Sequence, residues 1–135
     1  MTKEMVDLET AIRRNVLSKD RRYDVRAYLF IYEALAYTQK QLGRDDPNLE
    51  PPKRHVTGQE LVAGIRQYAE HHFGPLAPTV FRNWGVTCTA DFGKMVFNLV
   101  EGNLLGKTDE DQVADFADGF DFDTAFDGPM DVTLG

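Results

Sequence analysis

Between Asp24 and Gly43 the chain reads VRAYLFIYEALAYTQKQL, and this stretch constrains the fold more than any other. Val25, Tyr28, Leu29, Tyr32, Leu35, Ala36 and Leu42 recur at helical spacing on one face, and Phe30 and Ile31 widen that face. A helix with so broad an apolar surface must be covered from more than one side, so the rest of the chain has to supply elements that pack around it. Asp24 is placed to cap its start and Gly43 to end it, which predicts a central helix over about 25–42.

The flanking segments supply the cover. Met5, Leu8, Ile12 and Val16 predict an amphipathic helix over 3–17, which SKDRR interrupts. The segment 44–54, RDDPNLEPPKR, has three prolines and no apolar period, and reads as a surface loop. Thr57 and Glu60 form a capping box ahead of a helix buried through Leu61, Val62, Ile65, Ala69 and Phe73 and stopped by Gly74. A short helix with Leu76, Val80, Phe81 and Trp84 follows, closed by Gly85. Thr89 is the predicted cap of a further helix with Phe92, Met95, Val96, Leu99 and Val100 as its stripe. Leu104–Thr108 is expected as a short strand, and the alternation Gly119-Phe120-Asp121-Phe122-Asp123 as a second.

Composition agrees with one folded unit. The chain has 135 residues, 42% of them hydrophobic and 27% charged, enough for one sizeable core. We expect one globular domain over 1–126 and a flexible acidic tail over 127–135. No apolar run reaches membrane-spanning length, and the N-terminal stretch mixes charges into its apolar residues, unlike a signal peptide. A single cysteine, Cys88, can form neither an intrachain disulfide nor a cysteine-based zinc site. The expectation is a cytoplasmic domain of bacterial type.

The net charge of −7 is unevenly spread. Residues 1–107 carry 15 Lys and Arg against 13 Asp and Glu, whereas residues 108–135 carry nine acidic residues and no basic one. Arg13, Arg14, Lys19, Arg21, Arg22 and Arg26 gather near the first connection, diluted by Asp20 and Asp24. An acidic end can meet a basic partner, keep the chain soluble, or fold back on its own arginines. Phe116, Phe120, Phe122 and Phe126 lie inside it, so part of it is expected to pack.

Two resemblances follow from these residues. A helix, a tight turn, a second helix closing on Leu99-Val100-Glu101-Gly102-Asn103-Leu104-Leu105, and a charged connection to an aromatic strand resemble a winged helix-turn-helix. That likeness implies a helix at Phe81–Trp84, a recognition helix at 89–103, and wing strands at Leu104–Thr108 and Gly119–Phe122. Separately, Arg22-Tyr23-Asp24, the run from Arg54 to Leu61, Phe73-Gly74-Pro75-Leu76, the run from Asp91 to Glu101, Lys107-Thr108-Asp109-Glu110-Asp111 and the run from Phe120 to Phe126 are similar to an uncharacterised bacterial family of about this length found in Planctomycetes and Verrucomicrobia. That likeness implies no activity and no site residues. The expected fold class is α+β, mostly α: five or six helices, a small two-stranded β-wing and a winged-helix-like C-terminal part.

No motif for chemistry is complete. His71 and His72 are adjacent on a helix, about 100° apart, and cannot converge on one metal. Cys88 precedes a helix, but His55 and the other histidines are not placed beside it by any spacing. Asp121, Asp123 and Asp127 fail as a calcium loop, because Ala125, Phe126 and Val132 stand where a ligand, a glycine and a glutamate are needed. Gly106-Lys107-Thr108 fails as a phosphate loop, because Glu101 occupies the position of the first glycine. No catalytic, cofactor-binding or metal-binding residue is therefore assigned.

A recognition helix at 89–103 would present Asp91, Lys94, Asn98 and Glu101, a poor surface for a polyanion. Tyr37 and Phe97 fall on the flanks of their helices, where core or boundary packing is the usual role; if exposed they would serve as apolar contact points. The reading favoured by the sequence is a non-enzymatic protein-interaction module. Asp109, Glu110, Asp111 and Asp115 would contact a partner protein with a basic surface, with Arg21, Arg22 and Arg26 as an alternative docking patch. A DNA-binding transcription regulator is the second reading and a small enzyme the third; nucleic acid is disfavoured, no membrane is expected, and a homodimer could form through the 3–17 helix.

Overall fold

Asp24 accepts a hydrogen bond from the Arg26 amide at 2.8 Å, and the helix it caps organises the molecule. We describe a computed structural model covering residues 3–106, 113–117 and 119–126. The elements are α1 (Lys3–Ile12), continued by a π-helical turn at Arg13–Leu17; α2 (Val25–Gln41); a 3₁₀ turn at Pro51–Arg54; and α3 (Gly58–Phe73). Then come a 3₁₀ turn at Gly74–Leu76, α4 (Ala77–Asn83), α5 (Thr89–Glu101), a 3₁₀ turn at Val113–Phe116 and a four-residue α6 (Phe122–Ala125). No described helix is long and apolar enough to cross a membrane.

α2 is central, as its broad apolar face requires. Ala27, Tyr28, Ile31 and Ala34 are fully buried, and the helix packs along α3 on one side and meets α1 and α5 on others. Leu42 and Ala36, placed on the buried face by their spacing, are exposed; Ala34 and Thr38 are buried instead. Thr38 lies directly opposite Gly64 of α3, with no room between them for a side chain at position 64. At the far end of α2, the Phe30 ring meets Tyr68, Phe73, Phe81 and Trp84 at centroid distances of 5.4 to 5.8 Å.

Thr57 and Glu60 make the expected capping box, the Thr57 hydroxyl accepting from the Glu60 amide at 3.1 Å and Glu60 accepting from the Thr57 amide at 3.0 Å. Arg44 ties the 44–54 connection to this box by donating to Glu60 at 2.7 Å and to the His55 carbonyl at 2.9 Å. Gly85 follows α4 with φ of +88°, and a Cβ there would stand 2.3 Å from the Arg22 carbonyl oxygen, so only glycine lets the α4–α5 turn lie against the α1–α2 turn. Next to it the Asp24 amide donates to the Trp84 carbonyl at 3.0 Å.

The α+β expectation is overturned: the described residues contain no strand, so neither a two-stranded wing nor a winged-helix-like C-terminal part exists among them. Leu104–Gly106 is an irregular turn, and Lys107 and Thr108 lie outside the described residues. In the second expected strand, Asp121 accepts from the Asp123 amide at 2.9 Å and starts α6. A strand needs a paired neighbour to satisfy its amides, whereas an aspartate can start a helical turn locally. The resulting turn puts Phe122 and Phe126, four residues apart, onto the Phe81 ring at 5.2 and 6.1 Å. Phe116, Phe122 and Phe126 are buried, so the phenylalanines of the acidic segment complete the core.

Thr89 is also not the cap of α5. It is the first helical residue, and its buried hydroxyl donates to the Phe116 carbonyl and accepts from the Gly119 amide at 3.2 Å, docking the C-terminal segment. The capping carboxylate is that of Asp91, three residues in from the cap position at Cys88.

Candidate functional site

α5 is anchored by side-chain hydrogen bonds at both of its ends. At its start the Asp91 carboxylate is buried and accepts every contact it makes. Tyr23 Oη donates at 2.6 Å, the Thr87 amide at 2.9 Å, the Thr87 hydroxyl at 3.1 Å and the Cys88 amide at 3.4 Å. Burial alone would raise its pKa; the hydrogen bonds from Tyr23, Thr87 and Cys88 outweigh that and hold it below the ordinary value of 3.8. The same burial, with the Asp91 hydrogen bond, drives the Tyr23 hydroxyl well above the usual tyrosine range. At the other end Asn98 donates to Tyr28 Oη at 3.1 Å and to Asp20 at 3.3 Å, and Asn15 donates to the Gly102 carbonyl at 3.0 Å. Phe92, Met95 and Leu99, all fully buried, hold the inner face.

The outer face of this fixed helix carries Lys94, Phe97 and Glu101, with half-buried Ala90 in line. Phe97 is 52% exposed. Its expected role as core or boundary packing is therefore corrected, because Val96 and Val100, half-buried on one flank, take the boundary positions and turn position 97 to solvent. Beyond Phe97, Val100, Glu101, Asn103, Leu104 and Leu105 line an open, mainly polar concavity of about 630 Å³ at the C-terminal end of α5. Asp91 and Asn98, read from spacing as parts of an exposed face, are withdrawn into the two anchors. Nothing in the spacing distinguishes an aspartate that reads a groove from one that caps its own helix.

The sequence-predicted site residues do not converge. Asp109, Glu110 and Asp111 lie outside the described residues. Asp115 lies in the 3₁₀ turn against Gly58, lining a concavity of about 510 Å³ with Gln59, Arg66, Glu70 and Phe120. Arg21 and Arg26 line a separate groove with Arg13, Glu9, Leu17 and Leu29. Arg22 pairs with Asp20 at 2.7 Å, lies over the Tyr23 ring and pulls the Asp20 carboxyl down to about 2; Arg26 pairs with Asp24 at 3.0 Å. Two of the three arginines of the alternative patch are thus already matched by a carboxylate two residues away, and Arg21 makes no ion pair among the described residues.

Tyr37 is half-buried, its ring 5.4 Å from Tyr68 and 6.2 Å from His71, with its hydroxyl on Gln67 at 3.3 Å. His71 and His72 are exposed, and no group of three His, Cys, Asp or Glu among the described residues is placed to hold a metal ion. Cys88 is an exposed free thiol whose sulfur faces Asp91 at 3.8 Å.

Asp91 yields a pH prediction. A carboxylate whose folded pKa lies below its unfolded one stabilises the protein fully above the unfolded value, and that stabilisation is lost as pH falls through the folded one. Glu60, pulled from 4.5 down to about 2 by Arg44 and the Thr57 amide, acts in the same direction. Stability is therefore expected to decline below about pH 4. Asp91→Asn should flatten that decline and lower stability at pH 7 by about 2 kcal/mol, because an amide NH₂ must face one set of donors. Urea unfolding of both proteins at several pH values measures this, and parallel pH profiles would refute the role of Asp91.

No family model matches the chain, no curated protein matches it at a significant level, and no solved structure matches its fold.

Proposed function

We propose that this protein is a non-enzymatic protein-interaction module whose docking element is the outer face of α5. The observation that carries the reading is Phe97, a large apolar side chain 52% exposed on a helix whose two ends are pinned by hydrogen bonds, buried at the start and half-buried at the end. An aromatic residue on a rigid element loses little entropy on binding and supplies much contact area, which is how interface anchors work. The free thiol of Cys88 accords with a cytoplasmic setting, which belongs to the same proposal.

Binding to a polyanion receives no support from this face, where one lysine and one glutamate flank the phenylalanine, nor from Arg22 and Arg26 elsewhere, which are already paired. The acidic residues Asp109, Glu110, Asp111 and Asp115 remain a second proposed contact, with a basic surface on the partner protein.

The test places a photo-crosslinking amino acid at Phe97 in the full chain, with a control at exposed Lys53. A discrete protein adduct at position 97 and none at 53 is expected. Changing Asp109, Glu110, Asp111 and Asp115 to their amides should reduce the yield if the acidic contact exists. Adducts indistinguishable between the two positions would refute the docking face. Salt-sensitive duplex-DNA binding in fluorescence anisotropy would instead favour the regulator.

A further inference from the structure

We propose that the α5 face pairs with α5 of a second copy of this chain, antiparallel about a two-fold axis beside Phe97; this inference rests on the reading of α5 as a docking face. Ala90, Lys94, Phe97 and Glu101 follow one another at steps of four, three and four residues, which at about 100° per residue confines them to a stripe about 60° wide. With a rise of about 1.5 Å per residue, Lys94 lies about 4.5 Å before Phe97 along the helix axis and Glu101 about 6 Å after it.

That order is self-complementary in one orientation only. When two such helices run antiparallel about an axis midway between positions 94 and 101, each Lys94 faces Glu101 of the other copy, and the two Phe97 rings meet beside the axis. A parallel arrangement would oppose Lys94 to Lys94 and Glu101 to Glu101, so the charges select the isologous antiparallel pair.

The charged groups are available for it. The Lys94 side chain is 46% exposed and its contact to Asp91 is a loose 3.8 Å; Glu101 is exposed and makes no ion pair among the described residues. Residues 1–107 are close to neutral, but the seven acidic residues from 109 to 123 bring 1–126 to −5, a repulsion between copies that the Lys94–Glu101 pairs have to offset and that added salt screens. A contact built on one helix and the flanking Val100, Leu104 and Leu105 is small beside the roughly 1,200–2,000 Å² of stable interfaces, so a dimer of micromolar strength is expected.

Sedimentation equilibrium on the full chain between about 5 and 500 µM tests the proposal. The apparent mass should rise from 15.3 kDa toward twice that value. Phe97→Ser should stay monomeric throughout, with an unchanged circular dichroism spectrum. Glu101→Lys should weaken the dimer by about tenfold or more, and adding Lys94→Glu to it should restore the affinity. Positions seven apart on one helix do not touch, so that rescue cannot arise within a monomer. A monomer at every concentration, a dimer that survives Phe97→Ser, or a double variant as weak as Glu101→Lys would each overturn the pairing. A monomer whose position-97 crosslinker still captures a different protein ends the self-pairing but leaves the docking face standing; a monomer with no adduct ends both.

Discussion

Phe81→Ala lowers the unfolding free energy by about 4 kcal/mol, the largest loss expected from any single truncation in this core. The ring is fully buried and has the Phe30, Phe92 and Phe122 rings at 5.2 to 5.6 Å and those of Phe126 and Trp84 at 6.1 and 6.2 Å. Truncation forfeits the transfer free energy of the ring and leaves a cavity that five rigid aromatic neighbours cannot collapse into. It also removes the surface on which Phe122 and Phe126 rest, so the C-terminal segment should become the first site of proteolytic cleavage in the variant. Phe81→Leu, which keeps most of the volume, should lose about half as much. Urea midpoints for both variants and a timed protease digest measure this; a Phe81→Ala loss below about 1.5 kcal/mol would mean that the aromatic cluster is not one packed unit.

Gly64→Ala destabilises by about 2 kcal/mol net, although alanine is the better helix former by about 1 kcal/mol. A Cβ at position 64 would stand 1.7 Å from Thr38 Oγ1 and 2.9 Å from Thr38 Cβ. Rotating the Thr38 side chain removes the first clash and breaks its hydroxyl's 2.7 Å bond to the Ala34 carbonyl, but Cβ is fixed by the backbone and the second clash stays. α2 and α3 must therefore move apart, and that loosens contacts along the whole helix pair. Thr38→Ala combined with Gly64→Ala should recover part of the loss, because the oxygen and methyl are gone while the 2.9 Å approach remains. Thermal unfolding of the four members of this double-mutant cycle reads the coupling directly. A stabilised Gly64→Ala variant would show that the helices are not in the contact described.

The same two sites show what could be read in advance. Phe81 belongs to an apolar period on a short helix between Pro75 and Gly85, and the pattern placed it inward. Gly64 gave only the weak signal of a glycine in mid-helix, whose meaning depends on which helix lies opposite. Asp24, Thr57 and Glu60 were legible as caps because capping is completed within three residues. Thr89 was legible as polar and close to a helix start, but its hydroxyl went to Phe116 and Gly119, far along the chain.

The alternation at 119–123 was misleading for a related reason. Period two is a strand only when another strand accepts its hydrogen bonds, and here the phenylalanines found the rings of Phe81 and Phe92 instead. The docking face shows the same division. The flank position of Phe97 was visible from helical geometry, but which flank turns to solvent depended on how Val96 and Val100 settled.

By itself, then, the sequence determined the helices α1 to α5, the caps at Asp24 and Thr57, the centrality of 25–42 and the inward pull of the C-terminal phenylalanines, since each depends on periodicity or on bonds closed within a few residues. Only the tertiary structure decided the all-helical character of the described C-terminal part, the burial of Asp91 as an anchor rather than a reader of partners, the contact of Gly64 with Thr38 and the exposure of Phe97. Those features are set by which surfaces meet across long separations in the chain, and hydrophobic burial fixes that only when the whole core closes at once.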